Sequence, residues 1–178
     1  MQAHCHHDEP MREWFAVQVW SGREHISAAH LRERGYQVFL PCYREQRRWS
    51  DRIKVFERAL FAGYVFCQIT PDVLGKIVTA PGVIRIVGDG SGPVSIPAYE
   101  IAAIQRIVET RLSTEPWPMP RMGQRVRIEL GPLSGIEGVV MAVKNHHRFV
   151  VSISLLQRSV AVEVDSKWLT CQQAVLAD

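Results

Sequence analysis

The sequence predicts an α+β protein made of an antiparallel sheet with flanking helices, a Pro-rich linker and a small C-terminal β-barrel. Strand-like and helix-like segments alternate up to residue 112, which is typical of a mixed domain. Residues 113–120 then hold three prolines and show no periodicity, which indicates a stiff, extended linker. Beyond the linker every segment has strand composition and is bounded by turn residues, and this favours a small barrel.

The first domain is predicted to span residues 13–112 and to begin with a strand, a helix and a second strand. Residues 14–20 form a short, mostly apolar run, typical of a strand buried on both faces. Residues 23–34 have helical spacing, and Gly35 supplies the stop expected after a helix. Residues 36–43 return to a strand pattern.

The middle of the first domain is predicted to contain a charged hairpin at residues 44–58, with Ser50 and Asp51 in its turn. A strand at 60–69, a helix from Pro71 to the Pro81-Gly82 pair and a strand at 83–88 follow. A third helix begins after Pro97, because apolar residues then recur on one stripe: Ile101, Ile104, Val108 and Leu112.

The barrel is predicted to cover residues 121–170, with tails at 1–12, expected to be disordered, and at 171–178. Val160, Val162 and Val164 alternate with polar or small residues, which is the period of a strand with one buried face. The same alternation places Ile136, Phe149 and Ile153 in the barrel core. Local β propensity favours a barrel that keeps its fold and moves freely on the linker.

Composition excludes several classes of protein. The 178 residues carry a net charge of +3, and no apolar run approaches the roughly 20 residues needed to span a bilayer. The N-terminus lacks a signal-peptide pattern, so we expect a cytoplasmic protein with reduced, scattered cysteines. The His4–His7 run is expected to be part of the tail and to hold no metal. No spacing indicates a catalytic group or a cofactor loop, so the sequence predicts neither an enzyme nor a cofactor.

Several segments, taken in order, resemble the NusG-type transcription elongation factors. They are WFAVQVWSGRE from Trp14, YQVFLPCY from Tyr36, ALFAGYVF from Ala59, APGVIRIVG from Ala80, VSIP from Val94 and GQRVRIELGPLSGIEGVV from Gly123. The resemblance implies an NGN-like N-terminal domain and a KOW-type barrel.

Two departures make the chain more similar to the specialised RfaH and UpxY-type paralogues. At residues 61–64 this chain has Phe-Ala-Gly-Tyr, whereas the general factor usually has Phe-Pro-Gly-Tyr, so Ala62 stands in place of the proline. Its barrel usually ends in Gly-Arg-x-Thr-Pro-Val-Glu-Leu, whereas residues 155–165 here are LLQRSVAVEVD.

Three aromatic residues are the candidate polymerase-binding site: Phe61, Tyr64 and Phe66. Tyr64 and Phe66 lie two apart in a strand and therefore face the same side. The resemblance implies that this strand contributes to an apolar patch that binds the clamp helices of the largest RNA polymerase subunit. The alternative is that these aromatics are core residues, as single aromatics usually are.

Two candidate nucleic-acid surfaces follow. Arg23, Ser27, His30 and Arg34 have the spacing of one helical stripe, and the resemblance implies contact with the non-template DNA strand. The alternative is an ordinary solvated helix face. The hairpin is the strongest basic cluster, and the resemblance directs it toward upstream DNA; the alternative is a mobile solubilising loop. Its basic residues are Arg44, Arg47, Arg48, Arg52, Lys54 and Arg58.

The barrel carries a KOW motif formed by Gly131, Pro132, Gly135 and Gly138, in which the glycines shape a turn. The resemblance implies that the barrel docks a small-subunit ribosomal protein or a termination factor. The resemblance thus implies an elongation and antitermination factor that suppresses pausing by binding alone, and we expect it to be a monomer. Two alternatives stay open: a KOW-type RNA-binding or ribosome-associated module, and the housekeeping family member.

Overall fold

The N-terminal half is organised around one central strand, β1. The computed structural model describes residues 11–48, 52–120, 123–143 and 146–170. The helices of this half are α1 (Glu24–Glu33), α2 (Leu74–Ile77) and α3 (Ala98–Glu109). Its strands are β1 (Glu13–Val19), β2 (Gln37–Phe39), β3 (Cys42–Arg48), β4 (Ile53–Ala59), β5 (Tyr64–Ile69), β6 (Val83–Ile86) and β7 (Ser95–Ile96).

The main sheet is antiparallel and has the order β2-β5-β1-β6, with β7 also paired to β1. β1 is buried on both faces, as its apolar run predicts. Phe15, Val17 and Val19 share a core cluster with Ala28 and Leu31 of α1. On the opposite face, residues of β1 join a second cluster with α3: Trp14, Ala16, Ile101, Ile104 and Ile107. Because burial of each Val, Leu, Ile or Phe side chain contributes about 1.5–3 kcal/mol, the packing of α1 and α3 stabilises the sheet from both sides.

The second helix is shorter than predicted. A 3₁₀ turn at Pro71–Val73 precedes α2, which ends at Ile77. Gly75 and β-branched Ile77 both lower helix propensity, and the Thr79 hydroxyl bonds the Lys76 carbonyl (2.8 Å) just beyond the end of the helix.

The C-terminal half forms a six-stranded antiparallel sheet in the order β13-β9-β10-β11-β12-β8. The fold is therefore α+β with a β-rich C-terminal region, as predicted. Ile136, Phe149 and Ile153 are buried in its core. Its strands are β8 (Thr114–Pro118), β9 (Gln124–Ile128), β10 (Glu137–Val143), β11 (His146–Ile153), β12 (Arg158–Val164) and β13 (Leu169–Thr170).

The segment predicted as a linker differs from expectation. It is extended, but Thr114–Pro118 pairs with Arg158–Val162 as an edge strand of the barrel. The barrel is also not separate from the first domain, because one cluster of buried residues includes Ile104 of α3 and Ile153 of β11. In this structure the edge of β12 accepts the linker as a further strand, and free movement of the barrel on its linker stays a prediction.

Residues 1–10 of the tail predicted at 1–12 lie outside the described residues, as do the tail at 171–178, the His4–His7 run and the hairpin turn at 49–51. Within the described ranges, no helix is long and apolar enough to cross a membrane. Nor do those ranges contain a group of three or more His, Cys, Asp or Glu side chains arranged to hold a metal ion.

Candidate functional site

The aromatic segment begins with a tight turn whose shape depends on a buried carboxylate. Gly63 has φ of +82°, a conformation in which glycine has no steric penalty. Its N–H donates to Glu24 Oε1 (2.8 Å), which also accepts the N–H of Gly22 (3.1 Å). Glu24 is 6% exposed and Gly63 is half-buried, whereas Gly22 is exposed, so the bond to Gly63 is the more sheltered of the two. Helix α1 thus holds the turn that leads into Tyr64.

Phe61 and Phe66 are core residues in this structure. They are 1% and 0% exposed, and their rings meet edge to face with centroids 5.3 Å apart. Phe39 packs against Phe66 (6.2 Å) and against Trp14 (6.4 Å). The prediction that Phe61 and Phe66 are exposed is therefore corrected, because both are buried in one cluster that holds residues of the first domain and of the C-terminal half. Their role in polymerase binding stays a prediction.

Tyr64 is the member of this set that reaches the surface. It is half-buried, and the guanidinium carbon of Arg158 lies 5.0 Å from its ring centroid. Arg158 also donates from Nη1 to the Ala62 carbonyl (2.9 Å). A cation over an aromatic face is attractive by about 0.5–2 kcal/mol. The first residue of β12 therefore covers the turn and the tyrosine together.

Helix α3 makes two further polar contacts with the barrel. Glu100, 5% exposed, accepts the backbone N–H of Ser154 at Oε2 (3.1 Å). Arg106 donates to the carbonyls of Pro132 (3.0 Å) and Ser134 (2.8 Å). These carbonyls belong to the turn in which the KOW motif was predicted, where Gly131 and Gly135 have φ of +82° and +85°. The other motif glycine, Gly138, lies against Val150 and Phe149, where an added Cβ would be 2.6 Å from the Val150 carbonyl oxygen.

The predicted helical stripe is not one exposed surface. Ser27 is 0% exposed and lies on the buried face of α1 with Glu24, Ala28 and Leu31. Arg34 donates to Thr79 Oγ1 (3.1 Å) and to the Lys76 carbonyl (3.3 Å), so it ties α1 to α2. The Nδ1 atom of His30 lies 3.4 Å from Oε2 of Glu33. The prediction is corrected for Ser27 because the residues at i, i+3, i+4 and i+7 from Glu24 face the core.

The hairpin is a two-stranded ribbon formed by β3 and β4, with Arg48 opposite Ile53 and Gln46 opposite Val55. Arg44 and Arg48 are exposed on the same side as Ile53 and Val55, which are 64% and 57% exposed. On the other side Arg58 forms an ion pair with Glu45. In the backbone register of the two strands, Arg47 pairs with Lys54. Arg52 is exposed just before β4. The ribbon therefore presents guanidinium groups beside aliphatic surface.

Neither described thiol is a candidate nucleophile. Desolvation by burial raises the pKa of Cys67 to about 12, and that of Cys42, with a smaller contribution from Glu57, to about 11. Both stay protonated near neutral pH, whereas a nucleophilic cysteine requires a thiolate. Cys42 lines a cavity of about 320 Å³ between the base of the hairpin and the end of α3.

Sequence analysis missed four residues that shape the site: Glu24, Glu100, Arg106 and Arg158. Glu24 and Glu100 occupy core-facing helix positions. Because carboxylates are seldom buried without a partner, this placement was the one signal in the sequence that the two residues have structural partners. Arg106 and Arg158 bond backbone groups that are distant in sequence, and nothing in the local pattern indicates such partners.

Comparison with known proteins gives one consistent result. The family model described as "Transcription termination factor nusG" matches residues 12–105. The transcription termination/antitermination protein NusG of Helicobacter pylori strain J99 is 27% identical over 167 residues, covering 86% of this chain and 95% of the relative. NusG of Escherichia coli K12 is 28% identical over 172 residues, which cover 89% of this chain and 95% of the relative. A solved structure described as "Domain interaction in Thermotoga maritima NusG" has a TM-score of 0.58 at 20% identity, covers 91% of this chain and 98% of its own, and shares the fold.

Proposed function

The chain belongs to the NusG family of transcription factors, and from this we propose that it binds RNA polymerase during elongation and suppresses pausing or termination. Members of this family are transcription factors and not enzymes, so the activity would be one of binding. The observation that carries the proposal is the family match over residues 12–105, which include the turn at residues 61–64.

The proposed polymerase contact is centred on Tyr64 and uses the clamp helices of the largest subunit as its target. Tyr64 combines a large apolar ring with a rigid position, which is typical of residues that dominate interface affinity. Glu24 supplies the rigidity through its two bonds to backbone N–H groups. Phe61 and Phe66 would then support the tyrosine from the core below it.

We further propose that the chain is a specialised paralogue of the RfaH or UpxY type. Two of its departures from the general pattern support this. Ala62 replaces the usual proline of the turn, and aligning Arg158 with the arginine of the general barrel ending puts Ala161 in place of that ending's proline. Genome-wide occupancy of the tagged protein tests this proposal. We expect the protein to occupy a few long operons, whereas occupancy at most genes would indicate the housekeeping factor.

Two further contacts are proposed for the other surfaces. The hairpin would bind DNA near the polymerase through phosphate attraction, since Arg44 and Arg48 are exposed beside aliphatic side chains. The barrel would recruit a small-subunit ribosomal protein or a termination factor through its loops.

Binding to purified RNA polymerase tests the central proposal. We expect Tyr64→Ala in the full chain to lower affinity at least about tenfold, because an anchor side chain carries much of an interface's affinity. The matched control is Tyr99→Ala, since Tyr99 is 73% exposed on α3 and makes none of the contacts above. Equal affinity of the Tyr64 variant and the unchanged chain would contradict the assignment.

A further inference from the structure

The β3–β4 ribbon carries exposed side chains in cross-strand pairs on one of its faces. Alternate residues of a strand share a face, and residues directly opposite each other in an antiparallel pair lie on the same face. The register of β3 and β4 groups the residues of this face, which we call the outer face of the ribbon, into pairs. The pairs are Arg44 with Glu57, Gln46 with Val55, and Arg48 with Ile53, and every member is exposed.

The side chains of the outer face are available to a partner. Among the described strands, β3 and β4 pair only with each other. Arg44 lies directly opposite Glu57, yet neither side chain forms an ion pair or a hydrogen bond with any described residue. Ile53 and Val55 are 64% and 57% exposed. Contacts within the described chain therefore leave the charged groups unpaired and the aliphatic groups in water.

Duplex DNA has the shape and the charge that fit this face. The major groove of DNA is about 12 Å wide and admits a two-stranded β-ribbon. Arg44 and Arg48, together with exposed Arg52, complement the phosphates that border the groove. The major groove of an RNA helix is deep and narrow, so side chains cannot read it. These dimensions favour DNA over RNA as the partner.

The spacing of the pairs matches the repeat of DNA. Residues two apart in an antiparallel strand are separated by about 6.8 Å, because the rise is about 3.4 Å per residue. Base pairs follow each other at about 3.4 Å along the helix axis. Successive pairs of the outer face are therefore spaced to meet every second base pair.

Each pair also has the chemistry of one base pair. In the major groove an arginine bonds guanine O6 and N7, a glutamate accepts from cytosine N4, a glutamine bonds adenine N6 and N7, and an apolar side chain contacts the thymine methyl group. Arg44 with Glu57 thus suits a G·C pair, and Gln46 with Val55 suits an A·T pair. Arg48 suits a second guanine, beside which apolar Ile53 faces the C5–H edge of cytosine.

We propose that the outer face lies in the major groove of duplex DNA and reads the sequence G-N-A-N-G, where N is any base. This inference rests on the proposed DNA contact of the hairpin and deepens it, because phosphate attraction alone carries no sequence information. On other sequences the same guanidinium groups contact phosphates, and on the matching sequence they reach the base edges. Gln46 and Val55 then determine the central base pair together.

Fluorescence anisotropy of the full chain with short DNA duplexes tests the proposal at low ionic strength, where phosphate attraction is strongest. The matched duplex contains G-N-A-N-G, a second duplex has the central A·T pair inverted to T·A, and a third replaces the central thymine by uracil. Gln46→Ala and Val55→Ala remove the two central contacts, and both positions are exposed, so the fold is kept. Gln37→Ala is the matched control, because Gln37 is an exposed glutamine on β2.

We expect the unchanged chain and Gln37→Ala to bind the matched duplex about tenfold more tightly than the inverted one, and Gln46→Ala to bind the two equally. Loss of the thymine methyl should weaken the unchanged chain about threefold and leave Val55→Ala unaffected. Gln46→Arg should move the central preference from adenine to guanine, which a structural role of Gln46 would not do.

The remaining outcomes separate this proposal from the one on which it rests. Equal affinity of the unchanged chain for all duplexes would overturn the reading of sequence and leave the proposed DNA contact standing. A preference for the matched duplex that survives both Gln46→Ala and Val55→Ala would overturn the assignment to the outer face. Failure to bind any duplex would refute the DNA contact of the hairpin and the reading with it, whereas the polymerase contact at Tyr64 is tested separately.

Discussion

Glu24 is the residue on which the geometry of the candidate site most directly depends. Its Oε1 atom accepts two backbone N–H groups, those of Gly22 and Gly63, in a buried position. We expect Glu24→Ala to lower the free energy of unfolding by about 1–3 kcal/mol, since it leaves the half-buried N–H of Gly63 unsatisfied and removes the bond to exposed Gly22. Denaturant titration measures this loss.

The conservative variant separates geometry from charge. Glu24→Gln keeps an oxygen acceptor, so it should cost about 1 kcal/mol and retain most polymerase binding. Glu24→Ala should weaken polymerase binding as well as stability, because the turn before Tyr64 is no longer held. Unchanged binding in the alanine variant would show that the turn keeps its shape without the carboxylate.

Cys67 gives a prediction for alkaline pH. Burial raises the pKa of Cys67 from 9.0 to about 12, so between these values the unfolded chain loses the thiol proton and the folded chain keeps it. The folded state then binds more protons, and the free energy of unfolding falls as pH rises above about 9. Urea unfolding at pH 8 and pH 10.5 should show a smaller loss for Cys67→Ala than for the unchanged chain. Equal losses would mean that the thiol ionises without unfolding.

At the scale of elements, the β3–β4 ribbon gives a prediction about salt. Replacing Arg44 and Arg48 together by Ala should weaken DNA binding and reduce the slope of log affinity against log salt by about 1–2, since each phosphate contact releases counterions. Stability should change by less than about 0.5 kcal/mol, because both side chains are exposed. Fluorescence anisotropy at several salt concentrations measures the slope.

The matched control for the ribbon lies in the barrel, where Arg125 and Arg127 are exposed on β9. Replacing them by Ala should leave DNA binding and its salt slope unchanged. If replacing Arg125 and Arg127 lowers affinity for RNA while replacing Arg44 and Arg48 does not, the alternative of a KOW-type RNA-binding module is favoured.

The elements also show where local pattern is a sufficient guide. Helix α1 and strand β1 lie within one or two residues of their predicted bounds, because apolar periodicity reports directly on the buried face. The stripe through Ser27 was wrong for the same helix. Spacing predicts which residues share one side of a helix, but the residues packed against that side decide whether it is exposed. Gly82 packs against Ser27 so closely that an added Cβ would lie 2.4 Å from the Ser27 hydroxyl oxygen.

At the scale of the whole molecule, the two domains should unfold together. A single cluster of buried side chains includes residues of β1, α3 and the barrel, and Glu100 and Arg106 bond the barrel backbone. We expect one calorimetric transition in the unchanged chain, with calorimetric and van't Hoff enthalpies nearly equal. Glu100→Ala with Arg106→Ala should lower the midpoint by several degrees and raise the ratio of these enthalpies above one, because the domains then unfold less cooperatively. Two resolved transitions in the unchanged chain would show that the contact between the domains is weak.

The sequence by itself determined the fold class, the order of elements, the charged hairpin and the family. These properties depend on neighbours within a few positions: apolar alternation, glycine and proline at turns, and motif segments in a fixed order. The KOW glycines and the barrel core residues Ile136, Phe149 and Ile153 belong to this group, because their environment follows from strand period and turn geometry.

Only the tertiary structure decided which of these residues are exposed and how the two domains meet. Tyr64 and Phe66 have the same strand phase, yet one reaches the surface under Arg158 and the other lies among Phe39 and Phe61. The segment at 113–120 has the composition of a linker, and its residues Thr114–Pro118 form a strand because they pair with Arg158–Val162, which is distant in the chain. Exposure and edge pairing depend on partners that are far apart in sequence, and local patterns carry no information about such partners.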